Sequence, residues 1–186
     1  MAARTETKSR MTASAITLLC ERGVNGVTVD AVLADSGAPR GSVYHHFPGG
    51  RTEMVLEAAR VSSDYITDFI RSSSSLTPSE FLDGFVAMWT EHLRRSDYRA
   101  GCPVAGLVSE TSDELQPAVS LAHETLLTWT DLLADGLRRH GRTAAEAKDL
   151  ATFVVASIEG AIVLCRSQRS DRPLRIVATQ IAAILA

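Results

Sequence analysis

Apolar side chains recur along this chain with a helical period, and polar breaks divide the recurrence into segments. From Arg4 to Arg22 the apolar positions include Met11, Ala15, Leu18 and Leu19. Steps of three and four predict a helix with one buried face. "ERGVNG" ends it, with Gly23 where a left-handed residue closes a helix. Thr28 stands where its hydroxyl can cap a second short helix, which carries Val32 and Leu33 and ends near Ser36 and Gly37. Pro39 suits the first turn of a third helix, running through Phe47 to the "PGG" break. A longer helix begins near Arg51 and carries Met54, Val55, Ala58, Val61, Tyr65, Phe69 and Ile70.

"SSSSLTPS" (Ser72–Ser79) is the clearest composition shift and predicts a boundary. Beyond it the pattern predicts a helix from Ser79 to about Ser96 and a short one after Pro103. Two long helices follow, from about Asp113 to His140 and from Thr143 to Ser167, and Pro173 opens a last one. Thr143 and Glu146 have capping-box spacing. No strand or internal repeat is visible. The expected fold is all-α. A three-helix helix-turn-helix domain spans 1–50, a connecting helix about 51–71, and a second helical domain 72–186.

Composition leaves this picture intact. Apolar residues make up 45% of the 186 and charged residues 22%, ordinary values for a globular chain. No uninterrupted apolar stretch approaches the ~20 residues that span a bilayer. The polar start, "MAARTETKSR", lacks the apolar core of a signal peptide. The expectation is a cytoplasmic protein with no membrane partner. The three cysteines, Cys20, Cys102 and Cys165, are far apart and lack metal-ligand spacing. Cys20 and Cys165 sit in apolar helical contexts, whereas Cys102 lies at a break and is the candidate for a redox role. The net charge of −3 excludes a globally basic binder, but a local basic patch suffices to engage phosphates. Arg4, Lys8 and Arg10 against Glu6 give such a surplus at the front, on either a binding arm or a solvated tail.

The third segment, "ADSGAPRGSVYHHFPGG", is too short to be a self-sufficient helix and yet carries Arg40, Ser42, Tyr44, His45 and His46. Three short helices with a glycine in the turn between the second and third match a helix-turn-helix. There the last helix enters the major groove, and packing on the other two fixes its fold. Arg40 can reach guanine O6 and N7 or a phosphate. Gly41 lets the backbone approach, and Ser42 can donate to base or phosphate. Val43 and Phe47 should face inward. Tyr44, His45 and His46 can contact phosphate oxygens, and His46 has packing as its alternative. Thr28 and Arg51, at the starts of the flanking helices, are placed to clamp phosphates. His45 and His46 point about 100° apart on a helix and make a poor metal pair, so no metal is expected.

"TVDAVLADSGAPRGSVYHHFPGGRTEMVLEAA" resembles the DNA-binding segment of TetR/AcrR-type transcriptional regulators. The resemblance rests on Thr28 opening helix two, Gly37 at the turn, Ser42-x-Tyr44-x-His46-Phe47, then Arg51 and Glu53. "GAPRGSVYHHFPGG" together with "GCPVAGL" (Gly101–Leu107) is similar to the LmrA/YxaF-type branch. The resemblance implies a homodimeric repressor whose N-terminal domain binds a palindromic double-stranded DNA operator. It implies a C-terminal domain that binds a small-molecule effector and supplies the dimer interface. The effectors it points to are drug-like or flavonoid-like. By position, the DNA contacts would be Thr28, Arg40, Ser42, Tyr44, His45, His46 and Arg51. Activation by effector, or constitutive binding without one, stays open.

In the second domain Phe81, Phe85, Met88, Trp89 and His92 fall on one helical face. It is either plain core or one wall of an apolar pocket with a polar tip. Cys102, Leu107, His123, Trp129 and Phe153 are the candidates for the other walls. Val154, Ile158, Ala161, Ile162 and Cys165 form an apolar stripe, and Leu126, Leu133 and Leu137 another. These are either folding core or a dimer face, and a helix apolar round much of its circumference must bury both sides. No Ser/His/Asp or Cys/His constellation, phosphate loop, cofactor motif or metal-ligand spacing is visible, so no enzyme and no cofactor are expected.

Overall fold

The computed structural model describes residues 2–110 and 112–185, and side chains from residue 6 onward apart from Thr111. The side chain of Arg4 thus lies outside those described. Nine α-helices are present among the described residues: α1 Ala2–Arg22, α2 Val29–Ser36, α3 Val43–His46, α4 Gly50–Ser72, α5 Pro78–Arg95, α6 Pro103–Val108, α7 Gln116–Arg139, α8 Ala144–Gln168 and α9 Arg172–Leu185. Single 3-10 turns at Val24–Gly26, Arg40–Ser42 and Asp113–Leu115 join some of them. The all-α fold expected from periodicity is what the chain adopts.

The caps explain the boundaries. Thr28 Oγ1 accepts from Ala31 N at 3.1 Å and starts α2. Gly37 ends α2 at φ 64°, where a side chain would be strained, and its N–H returns to Leu33 O at 3.0 Å. Thr77–Glu80 and Thr143–Glu146 each close a reciprocal capping box at the start of α5 and α8. Hydrogen bonds from threonine hold both glutamates below the usual carboxylate range.

The chain packs as two compact units. One combines the chain up to Asp64 with Cys102–His123; the other combines Tyr65–Gly101 with the chain from Glu124 onward. The stretch Ser72–Ser79, with the loop 73–77 between α4 and α5, lies inside the second unit, and both α4 and α7 contribute to each unit. In the first, α1 packs on α2 and on α6. Met11, Ala15, Leu18 and Leu19 are buried there with Val27, Val32, Val43 and Phe47. In the second, α9 packs on α8 and α5, and Ala134, Leu137, Ala147 and Ala151 form one buried cluster.

α8 has the length and apolar content of a bilayer-crossing helix by composition alone, although Lys148, Asp149 and Glu159 interrupt the run. Its inward face is Ala147, Ala151, Val154, Ile158, Ala161, Ile162 and Cys165. Its outward face carries Phe153, Val163 and Leu164, all exposed. Two apolar faces on one helix account for the composition.

Candidate functional site

α3 has one face for the core and one for solvent. Val43 and Phe47 are fully buried, while between them Tyr44 is 67% exposed and His45 is exposed. The Lys8 ammonium sits 5.4 Å from the Phe47 ring centroid, a cation–π contact that ties α1 to this segment. In the turn ahead of α3, Ser42 Oγ donates to Pro39 O at 2.6 Å. A Cβ built on Gly41 would meet nothing within 4 Å. The Arg40 side chain is 82% exposed and donates from Nη2 to Asp30 Oδ1 at 2.5 Å. That pair links the turn to the first turn of α2, where Thr28 is exposed.

Exposed pairs of this kind contribute little, about 0–1 kcal/mol, so Arg40 can exchange Asp30 for another anion at small cost. His46 is half-buried, with its ring edge-on to His45 at 5.1 Å between centroids. Among the described residues no three His, Cys, Asp or Glu side chains converge as a metal site.

Arg51 does something other than the expected phosphate clamp. Its Nε donates to Val27 O at 2.9 Å, Nη2 to Val24 O at 3.1 Å and Nη1 to Glu114 Oε1 at 3.1 Å. Only 28% of the side chain is exposed. A helix-start arginine looks solvent-facing in sequence; here the loop before α2 supplies acceptors for Nε and Nη2, and Glu114 of the Asp113–Leu115 turn takes Nη1. The fork satisfies carbonyls that hold the Val24–Gly26 turn. Lysine has one nitrogen and cannot span the same acceptors. Arg51→Lys is expected to destabilise the protein by about 1–3 kcal/mol, the cost of breaking the bond to Val27 O and the second bond to Val24 O, read as a lowered midpoint in thermal denaturation.

The second unit contains a small apolar cleft of about 30 Å³ lined by Ile66, Phe81, Phe85, Trp129, Leu133 and Glu159, among others. A neighbouring one of about 60 Å³ shares Ile70, Phe81, Leu82, Leu133 and Val154 with it. Phe81 and Phe85 stack at 5.7 Å, and both rings meet Phe69 of α4. Trp129 is fixed by its indole N–H, which donates to Thr67 Oγ1 at 2.9 Å.

The expected pocket residues divide. Phe85 and Trp129 line the cleft. Met88 is half-buried and Trp89 buried on the same helix. The Trp89 indole nitrogen is buried with no hydrogen-bond partner among the described residues, and its ring meets that of His92 edge-on. His92 is exposed. Phe153 points outward. Cys102, Leu107 and His123 belong to the first unit. There Cys102 Sγ caps α6 by accepting from Ala105 N at 3.5 Å, Leu107 is fully buried and His123 is exposed. Cys20 and Cys165 are buried thiols, and burial pushes that of Cys165 up.

The two stripes expected at a dimer face are used within the chain. Val154, Ile158, Ala161, Ile162, Cys165 and Leu137 are buried, and Leu126 and Leu133 half-buried. Apolar side chains left outside on these helices and the next are Leu127 on α7, Phe153, Val163 and Leu164 on α8, and Ile176 and Ile184 on α9, among the described residues. A Cβ on the exposed Gly160, between them on α8, would meet nothing within 4 Å. Periodicity detects a stripe; it does not tell which of two stripes on one helix is turned inward.

With this geometry in hand, likeness to known proteins becomes informative. The model of bacterial regulatory proteins of the tetR family matches residues 12–58. That of the transcriptional regulator LmrA/YxaF-like C-terminal domain matches residues 78–180. The chain is 35% identical over 183 residues to the uncharacterized HTH-type transcriptional regulator Rv0196 of Mycobacterium tuberculosis, covering 96% of this chain and 93% of that one. It is 29% identical over 182 residues to the HTH-type transcriptional regulator LmrA of Bacillus subtilis, covering 97% of each. A TetR transcriptional regulator from Legionella pneumophila shares the fold with a TM-score of 0.86 at 18% identity, over 96% of this chain and 97% of that one. The regulatory protein TetR from Rhodobacter sphaeroides does so at 0.81 and 24%, over 93% and 95%. The matched helix-turn-helix segment contains the outward face of α3, and by these matches the chain belongs to the TetR family of bacterial transcriptional regulators.

Proposed function

We propose that the chain is a cytoplasmic homodimeric repressor that holds a palindromic operator through α3 and leaves it when a small, largely apolar effector occupies the cleft of the second unit. The observation that carries the reading is the exposed row Arg40, Tyr44 and His45 on a segment whose opposite face, Val43 and Phe47, is fully buried. Burial fixes the segment while its hydrogen-bonding side chains stay available for phosphates and base edges. Thr28, Gly41, Ser42 and His46 complete the contact set, and Arg51 positions it from behind.

A palindrome needs two such segments one DNA turn apart, about 34–36 Å, so the reading requires a dimer. The outward apolar residues of α8 and α9 are the face we assign to it. The match of the C-terminal region supports placing the chain in the LmrA/YxaF-like branch. The aromatic lining of the cleft suits a flat, apolar effector. α4 contributes to both units, so a ligand that shifts its end at Ile66 and Ile70 alters the unit that holds α3. Ligand and DNA affinities are then linked reciprocally, by about 1–3 kcal/mol.

The test is fluorescence anisotropy of the purified chain on a duplex from its own upstream region and on a scrambled duplex, across a salt series. Preference for the native duplex, with sedimentation as a dimer, is the expected result. Equal, weak binding to both would reduce the chain to a phosphate reader and sink the repressor reading.

A further inference from the structure

Positive charge in the second unit is concentrated at one end. The stretches 91–99 and 166–175 contain Arg94, Arg95, Arg99, Arg166, Arg169, Arg172 and Arg175 against Glu91, Asp97 and Asp171. That is a surplus of four positive charges in a chain whose overall charge is −3.

Packing brings the two stretches together. Asp171, with only 7% of its side chain exposed, accepts from Arg94 Nη2 at 2.5 Å and from Arg175 Nη2 at 2.9 Å. Asp97 pairs with Arg169 and lies 3.8 Å from Arg99 Nη1. Arg166 lies over Gly101, where a Cβ would come within 2.9 Å of Nη1. The two aspartates thus act as bridges between α5 and the α8–α9 turn, and each gathers two arginines around one carboxylate.

The turn backbone is unusual in the same place. The non-glycine residues with positive φ among those described are Asp97, Tyr98 and Arg169, all in this cluster. Such conformations persist only where the surroundings over-determine them. The bridges therefore hold the guanidinium groups of Arg94, Arg99, Arg169 and Arg175, each with more than half of the side chain exposed, and Arg95, paired with Glu91 on α5, stands beside them.

We infer that this arginine cluster is a second DNA-contacting surface, one that engages backbone phosphates independently of α3. A fixed surplus of planar cations complements a row of phosphates, and double-stranded DNA is the polyanion that the proposed function supplies. The chain also passes from this end, at Gly101, into the unit that holds α3, at Cys102. The inference rests on the DNA-binding reading above but assigns no base specificity to the cluster.

The experiment uses the full chain and a 40-base-pair duplex of mixed sequence, with affinity measured by anisotropy at several salt concentrations. Three fourfold variants are compared with the unaltered protein: Arg95, Arg99, Arg169 and Arg172 each →Gln; the same four each →Lys; and Arg71, Arg138, Arg139 and Lys148 each →Gln. The last removes equal charge from elsewhere in the second unit.

Each lost phosphate contact lowers the slope of log K against log salt by about 0.9. The cluster →Gln variant is expected to lose a slope of about 2 or more and at least tenfold in affinity at low salt. The →Lys variant should retain most of both, and the distant variant should retain the slope. Circular dichroism melting checks that all three fold; if the →Gln variant is unfolded, the comparison is made with the two exposed ends alone, Arg95→Gln and Arg172→Gln. An unchanged slope in a folded cluster variant that still binds DNA would overturn the inference and leave the α3 reading standing. So would an equal loss in the distant variant, or a loss of dimer by sedimentation in place of a change in slope. Absence of DNA binding by the unaltered protein would overturn both.

Discussion

Replacing Arg40 and Tyr44 together with alanine is expected to lower affinity for the operator duplex about 100-fold or more while leaving the thermal midpoint almost unchanged. Both side chains are largely exposed, so little packing is lost. The Arg40–Asp30 pair, being exposed, stabilises the fold by about 1 kcal/mol at most. A bidentate arginine–guanine contact discriminates by about 1–3 kcal/mol, and a dimer loses the contacts twice. Anisotropy on native and scrambled duplexes reads the affinity, and circular dichroism reads the midpoint. Single variants then separate the roles. If Arg40 reads a base, Arg40→Ala relaxes preference between duplexes; if it meets a phosphate, the salt slope falls by about 0.9 with preference intact. Full affinity in the double variant would remove α3 from the DNA interface.

Leu164→Glu is the second large effect. Leu164 lies on the outward face of α8. A carboxylate buried in an apolar interface without a partner costs about 3–5 kcal/mol. On the proposed dimer, the dissociation constant should therefore rise by 100-fold or more. Sedimentation at micromolar concentration should show monomer. The thermal midpoint should lose its dependence on protein concentration, because association no longer stabilises the folded state. Operator affinity should fall with it, since one half-site cannot hold what two hold.

Ile162→Ala is the contrasting variant. Ile162 is fully buried within the chain, so truncation should destabilise the fold by about 2–5 kcal/mol at any protein concentration. If instead Ile162→Ala dissociates the dimer and Leu164→Glu does not, the inward and outward faces of α8 have been assigned the wrong way round.

These two variants sit two residues apart, and sequence periodicity alone would not have separated their roles. What the sequence by itself determined about this protein is local. Thr28, Gly37 and Thr143 mark helix ends because capping acts over three or four residues. The buried pairs Met11 and Leu18 on α1, and Val43 and Phe47 on the α3 segment, were legible because a 3.6-residue period puts each pair on one face of its own segment. The outward row of α3 followed from the same rule.

The tertiary structure alone decided whatever depends on partners far apart in the chain. Arg51 turns inward because carbonyls 24 and 27 residues earlier come within reach of its fork. The cleft takes Phe85 and Trp129 and leaves Leu107 in the other unit, since helix packing, and not aromatic spacing, chooses the walls. The arginine cluster is assembled from residues 77 positions apart, through Asp171. A carboxylate nearly closed off from water must find cations wherever the fold brings them, and no local pattern records where that will be.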